Sequence, residues 1–106
     1  MGSRLKVDIL PFAQRELEEI ARVHMALSGP RSARSITDRI YEAMEQLARF
    51  PFSGPPVQDD ELRNAGYRYV LAGKYLIIYR VLGENVIIYH IAHGATDYPK
   101  LFRFPG

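Results

Sequence analysis

Six side chains in the second half of the chain could do acid-base or phosphate chemistry: Arg68, Lys74, Arg80, His90, His93 and Tyr98. Cleaving RNA through its own 2′-hydroxyl needs a base for that proton, cations around the phosphate and an acid for the leaving oxygen. These residue types can supply all three. No two of them stand at a diagnostic spacing, so the set points to anion binding without fixing a reaction. The plainer reading is that the arginines and histidines snorkel from the rim of an apolar surface. The tyrosines Tyr67, Tyr69, Tyr75, Tyr79 and Tyr89 could stack bases, yet their strand propensity alone accounts for where they stand.

Other chemistries are excluded more firmly. The chain has no cysteine, which removes disulfides, thiolate nucleophiles and cysteine metal sites together. His24, His90 and His93 are scattered, with no acid at a ligand-like spacing, so neither a metal nor another cofactor is expected. His24 lies on the apolar stripe of a helix, seven residues after Leu17 and four after Ile20, and should be a packed, hydrogen-bonded residue.

The elements that must position these residues follow from hydrophobic periodicity. Residues 4 to 10, RLKVDIL, alternate charged with apolar in the period-two manner of a half-exposed strand. After Pro11, Ala13, Leu17, Ile20, Ala21 and Leu27 recur at helical spacing, and Ser28-Gly29-Pro30 closes one helix and opens the next. The second helix carries Ala33, Ile36, Ile40, Ala43, Met44, Leu47 and Phe50 on one stripe, and so short a turn forces the pair to pack antiparallel. Residues 50 to 66 read as a long surface connection rich in glycine and proline. Strands are expected over 67 to 72, 75 to 82 and 86 to 93, joined by the hairpin-sized separators GK and GEN.

With GEN as a three-residue loop, Leu82 faces Val86, and Arg80 and His90 share one sheet face at diagonal positions. A slip of one residue would instead bring Arg80 to His93. The middle strand of this antiparallel meander is apolar on both faces, so its second face should meet something beyond the helices. The tail DYPKLFRFPG, with Leu101, Phe102 and Phe104, is too apolar to hang free and should dock on the domain or on a partner.

At 106 residues, 47% hydrophobic and 25% charged, the chain suits a single globular domain spanning 1 to 106. No run approaches the length of a membrane span, and a cytoplasmic location is expected. The net charge of +2 permits contact with nucleic acid or an acidic protein without demanding either.

In order and spacing, several pieces together resemble the RelE/ParE superfamily of toxins from bacterial type II toxin-antitoxin modules. They are Phe50-Pro51 with Gly54, Gly66-Tyr67-Arg68, Tyr79-Arg80-Val81, and His93-Gly94 followed by Asp97. The resemblance implies an α+β fold: an N-terminal strand and antiparallel helical hairpin packed on a mostly antiparallel sheet of about four strands. It implies one of two activities. RelE-like members cleave mRNA on the ribosome with basic residues on the sheet and a C-terminal arginine or tyrosine; here Arg68, Arg80, His90, His93 and Tyr98 would be the working set. ParE-like members poison DNA gyrase. Leu76 stands where the nucleases tend to have an arginine, and Thr96 where a basic residue usually follows the glycine. The C-terminal pattern is the more ParE-like of the two, although Thr96 also departs from the arginine common there, and gyrase is therefore the expected target, with ribosome and mRNA as the alternative. A third reading is a binding module that kept the fold and lost the activity.

The resemblance further implies a cognate antitoxin, acidic and amphipathic, that places carboxylates near Arg68 or Arg80. Arg68, Lys74, Arg80, Lys100 and Arg103 are the expected contacts to target or antitoxin. Operator DNA would be reached only through the antitoxin, and no membrane is involved.

Overall fold

The computed structural model describes residues 4–102. The chain runs β1 (Lys6–Ile9), α1 (Pro11–Ser28), α2 (Pro30–Arg49), α3 (Asp60–Asn64), β2 (Arg68–Ala72), β3 (Tyr75–Leu82), β4 (Asn85–His93) and a 3₁₀ helix (Tyr98–Phe102). The four strands form one sheet in the order β1-β4-β3-β2, with β1 parallel to β4 and the other two pairs antiparallel. This is the expected α+β architecture.

The hairpin of helices turns on one residue. Gly29 holds φ at +87°, donates its N–H to the Met25 carbonyl to close α1, and accepts from Ala33 to open α2. A side chain at that φ would be strained, which is why glycine stands there. Proline begins both helices, where its missing N–H costs nothing. Ala13, Leu17 and Ile20 of α1, with Ile36, Ile40, Met44 and Leu47 of α2, are buried against Ile77, Tyr79, Val86, Ile88 and Ile91 of the sheet. Truncating Ile40 or Leu47, both fully buried, to alanine would cost about 2–5 kcal/mol.

The second face of β3 is covered by the chain itself. Leu76 and Ile78 pack with the buried Val57, and Leu62, Tyr67, Tyr69, Tyr98 and Phe102 close over them. The segment between α2 and β2 is thus not merely a surface connection. It contains α3, a β-bridge between Pro56 and Arg68, and two buried positions, Gly54 and Val57. A partner is not needed to cover the doubly apolar strand. The tail docks on the same face through Phe102, while Arg103 and Phe104 lie outside the described residues.

The β3–β4 register also departs from expectation. Leu82 faces Asn85, so the turn is the two residues Gly83-Glu84, with Gly83 at φ +61° as the first position of a type II′ turn requires. Ile78 faces His90 but Tyr79 faces Ile88, so Tyr89 is an extra residue in a β-bulge.

Candidate functional site

The bulge decides where the two histidines and Arg80 go. Ile78 faces His90 and Arg80 is two residues further along β3, so Arg80 and His90 share a side of the sheet. Tyr89 stands between them. Arg80 donates from Nε (3.1 Å) and Nη2 (2.7 Å) to the Tyr89 hydroxyl and from Nη1 to the Ala65 carbonyl (3.2 Å). Its guanidinium also lies 4.7 Å from the Tyr67 ring centre and 5.1 Å from that of Tyr89, a cation held between two π faces. Burial raises the Tyr67 phenol above the ordinary tyrosine value; the Arg80 cation opposes that rise and the Tyr89 phenol adds to it.

His90, only 8% exposed, turns the other way. β1 pairs with β4 only as far as Ile88, which leaves the edge of β4 open beyond it. Glu16 of α1 closes that edge: its carboxylate accepts from the Ile91 N–H at 2.9 Å and lies 3.2 Å from His90 Nδ1. Phe102 packs edge-on against His90 (4.8 Å) and Tyr67 (4.7 Å). Between these groups and the start of α1 lies a groove of about 630 Å³, lined by Phe12, Arg15, Leu62, Tyr67, His90 and Phe102 among others. It is aromatic and apolar, with Arg15 stacked over Phe12 at 4.7 Å.

Arg68 belongs to a second arrangement. It donates to the Gly54 carbonyl at 2.7 Å and stacks on Phe52 at 5.0 Å, fastening residues 50 to 54 to β2. Beneath it the Tyr79 hydroxyl donates to the Pro51 carbonyl (2.7 Å) and accepts from the Gly54 N–H (3.1 Å). Burial pushes the Tyr79 phenol above its ordinary value, against smaller lowering effects from the Gly54 hydrogen bond and Arg68. Tyr98 is also a fastener: its hydroxyl accepts from the Asp59 N–H at 3.0 Å, and Asp59 in turn caps α3 through Leu62.

The remaining candidates are elsewhere. His93 faces Tyr75 at the far end of β4, so the one-residue slip that would bring it to Arg80 does not occur, and its Nδ1 accepts from the Ala95 N–H. Lys74 sits in the β2–β3 turn, Lys100 pairs with Asp97 at 3.7 Å, and Arg103 lies outside the described residues. His24 is hydrogen-bonded at both ring nitrogens, to Ser32 (3.1 Å) and Tyr75 (2.9 Å), as its place on the stripe suggested. Among the described residues of the predicted set, Arg80 and His90 share one neighbourhood, each engaged by a different scaffold residue, and Lys74 and His93 meet at the other end of the sheet, where Tyr75 faces His93 and the Gly94 N–H donates to the Lys74 carbonyl.

Sequence reasoning missed Glu16. Its signal was present, because Glu16 stands three residues after Ala13 and four before Ile20, on the buried stripe where an acid needs a partner. Among the described residues no group of three His, Cys, Asp or Glu is placed to hold a metal ion, and no helix is long and apolar enough to cross a membrane.

A helical hairpin and four-stranded sheet with these fastenings define a small α+β domain. The family model of the ParE toxin of the type II toxin-antitoxin system parDE matches residues 7–98, and the chain belongs to that family. In fold it is similar to a chain of the chromosomal ParDE TA system from P. aeruginosa, with a TM-score of 0.72 and 20% identity over 85% of this chain and 96% of that one. It is also similar to a chain of the toxin-antitoxin complex RelBE2 from Mycobacterium tuberculosis, with a TM-score of 0.62 and 23% identity over 85% and 98%. Among curated proteins, none matches the chain.

Proposed function

We propose that this type II toxin arrests growth by acting on DNA gyrase in the cytoplasm and is held inactive by a cognate antitoxin. One observation supports gyrase over the ribosome: the five residues a superfamily nuclease would draw on are engaged separately by the scaffold. Arg68 fastens a loop, Arg80 is held by two tyrosines, His90 faces Glu16, Tyr98 fastens the Asp59 N–H and His93 stands at the other end of β4. Metal-free RNA cleavage needs base, acid and cations converging on one phosphate, and losing such groups costs orders of magnitude in rate. Leu76 adds to this, being buried against Val57 and Ile78 where a nuclease would need a cation.

The antitoxin reading rests on the 630 Å³ aromatic groove and on Phe12, which is 51% exposed. An amphipathic segment laid in that groove would bury its apolar face there. Because Arg68 and Arg80 have partners within the chain, the guanidinium an acidic antitoxin residue meets is Arg15, which forms no ion pair among the described residues.

Purified toxin added to gyrase is expected to block supercoiling or trap cleaved DNA. Undiminished supercoiling at saturating toxin rejects the gyrase reading. New cleavage ends in an mRNA under translation would assign the chain to the ribosome instead.

A further inference from the structure

A cluster of cations stands apart from the sheet, at the end where α1 finishes, α2 begins and β2 turns into β3. The first half of α2, PRSARSITDR, carries Arg31, Arg34 and Arg39 against the single acid Asp38. It has no acid in its first turn and no side-chain cap. The positive end of a helix dipole disfavours a cation in the first turn, so helix stability does not explain Arg31.

Ser32, Ser35 and Arg39 of α2 line a cavity of about 320 Å³ with Lys74, Tyr75 and His24. Among the described residues no carboxylate lines it. Arg39 and Lys74 form no ion pair among the described residues. The Arg39 guanidinium lies over Gly73, so that a Cβ there would stand 3.3 Å from Nη1, and this brings it above the turn that carries Lys74. The wall behind is fixed, because His24 is held between Ser32 and Tyr75.

We propose that this cavity is an oxyanion site that grips a backbone phosphate of nucleic acid. Arg39 supplies a fork of donors, Lys74 an ammonium and Ser35 a hydroxyl, all lining the one cavity. A lone carboxylate has two oxygens, which the Arg39 fork alone satisfies. A nucleic-acid strand presents charges in a line, and Arg31 and Arg34 extend the positive surface along α2 to meet them. The site is separate from the groove assigned to the antitoxin and does not depend on gyrase being the target.

Fluorescence anisotropy of a labelled single strand and of the matching duplex with the full-length toxin tests this. Binding should weaken on raising salt. The double variant Arg39→Ala, Lys74→Ala should bind about tenfold less tightly, and its salt slope on duplex should fall by about 0.9, the value for one phosphate contact. Both side chains are exposed and unpaired, so thermal melting should be unchanged. Lys6→Ala, beside the opposite end of β4, should leave binding unchanged and so separates a site from general charge. Equal binding by the double variant and the parent overturns the proposal. So does inorganic phosphate binding as tightly as the oligonucleotide, or loss of antitoxin affinity with oligonucleotide binding intact, which would assign the cavity to an acidic protein segment.

Discussion

Replacing Tyr79 by phenylalanine removes one oxygen atom and isolates one fastening of the fold. The side chain is fully buried, and its hydroxyl bridges the Pro51 carbonyl and the Gly54 N–H. Water cannot take its place, since Gly54 lies so near β2 that a Cβ there would meet the Tyr69 carbonyl at 2.2 Å. A buried group left without a partner costs about 1–3 kcal/mol. Pro51 is only half-buried and its carbonyl can turn toward solvent, so the sum is about 2–4 kcal/mol rather than the full two-group cost. Urea unfolding followed by circular dichroism should show a lower midpoint at unchanged slope, and the melting temperature should fall by roughly 10–25 °C. The gap should narrow in alkali. The phenol's folded value lies above the unfolded value of about 10, so the parent's stability is fully present below that pH and is lost as pH rises through the folded value. Tyr79→Phe lacks that loss. Tyr69→Phe, whose hydroxyl makes no side-chain hydrogen bond among those described, should stay within about 0.5 kcal/mol and serves as control. A Tyr79→Phe protein as stable as the parent would refute the bridging argument.

Three further perturbations test the other fastenings. Gly54→Ala should cost about 3 kcal/mol or more, or yield no folded protein, because the added methyl meets a backbone carbonyl at 2.2 Å and the Tyr79 hydroxyl at 2.8 Å; denaturant unfolding or soluble yield reads this out. Glu16→Ala should destabilise by about 2–4 kcal/mol, whereas Glu16→Gln, which still offers an acceptor to the Ile91 N–H, should recover more than half of that; equal losses would place the effect in the charge rather than the strand edge. A double-mutant cycle between Arg80→Ala and Tyr89→Phe should give a coupling of about 1–2 kcal/mol in unfolding, and additive single effects would mean the guanidinium is not held by that hydroxyl.

The architecture was readable because it follows from periodicities that packing enforces. The stripe from Ala33 to Leu47 and the apolar run of β3 could only be a helix and a central strand, and Gly29-Pro30 could only be a tight joint. The site was less readable because side-chain destinations depend on one residue of register. A two-residue turn in place of three, followed by a bulge at Tyr89, sends Tyr89 to Arg80 and His90 to Glu16. Gly83 suits the first position of a two-residue turn but does not exclude a three-residue one, and the bulge has no residue signature in IIYHI. The cover over Leu76 and Ile78 was legible only in the tail, expected to dock on the domain or on a partner; Val57 was hidden because it is an isolated apolar residue in an irregular segment, where no period marks a face. Likewise Arg68 in isolation reads as a surface cation, and only the fold shows that it reaches carbonyls fourteen and sixteen positions earlier.

The arginines divide by element. Those on the strands, Arg68 and Arg80, lie among aromatic rings and donate to oxygens of the chain itself, which is how a partly desolvated guanidinium is tolerated. Those on the first half of α2, Arg31, Arg34 and Arg39, are exposed and form no ion pair among the described residues. Attraction to a polyanion needs charges that remain hydrated, unpaired and displaceable by salt, and the strand arginines no longer meet that description. On the strands these two arginines hold the scaffold, and the cations left without an ion pair among the described residues include those of α2 and Lys74 in the β2–β3 turn. A change at Arg68 or Arg80 should therefore register first as lost stability, and a change at Arg39 or Lys74 as lost affinity with the fold intact. Measuring melting temperature and oligonucleotide affinity on the same four alanine variants separates the two groups, and a strand arginine that lowers affinity without lowering the melting temperature would break the division.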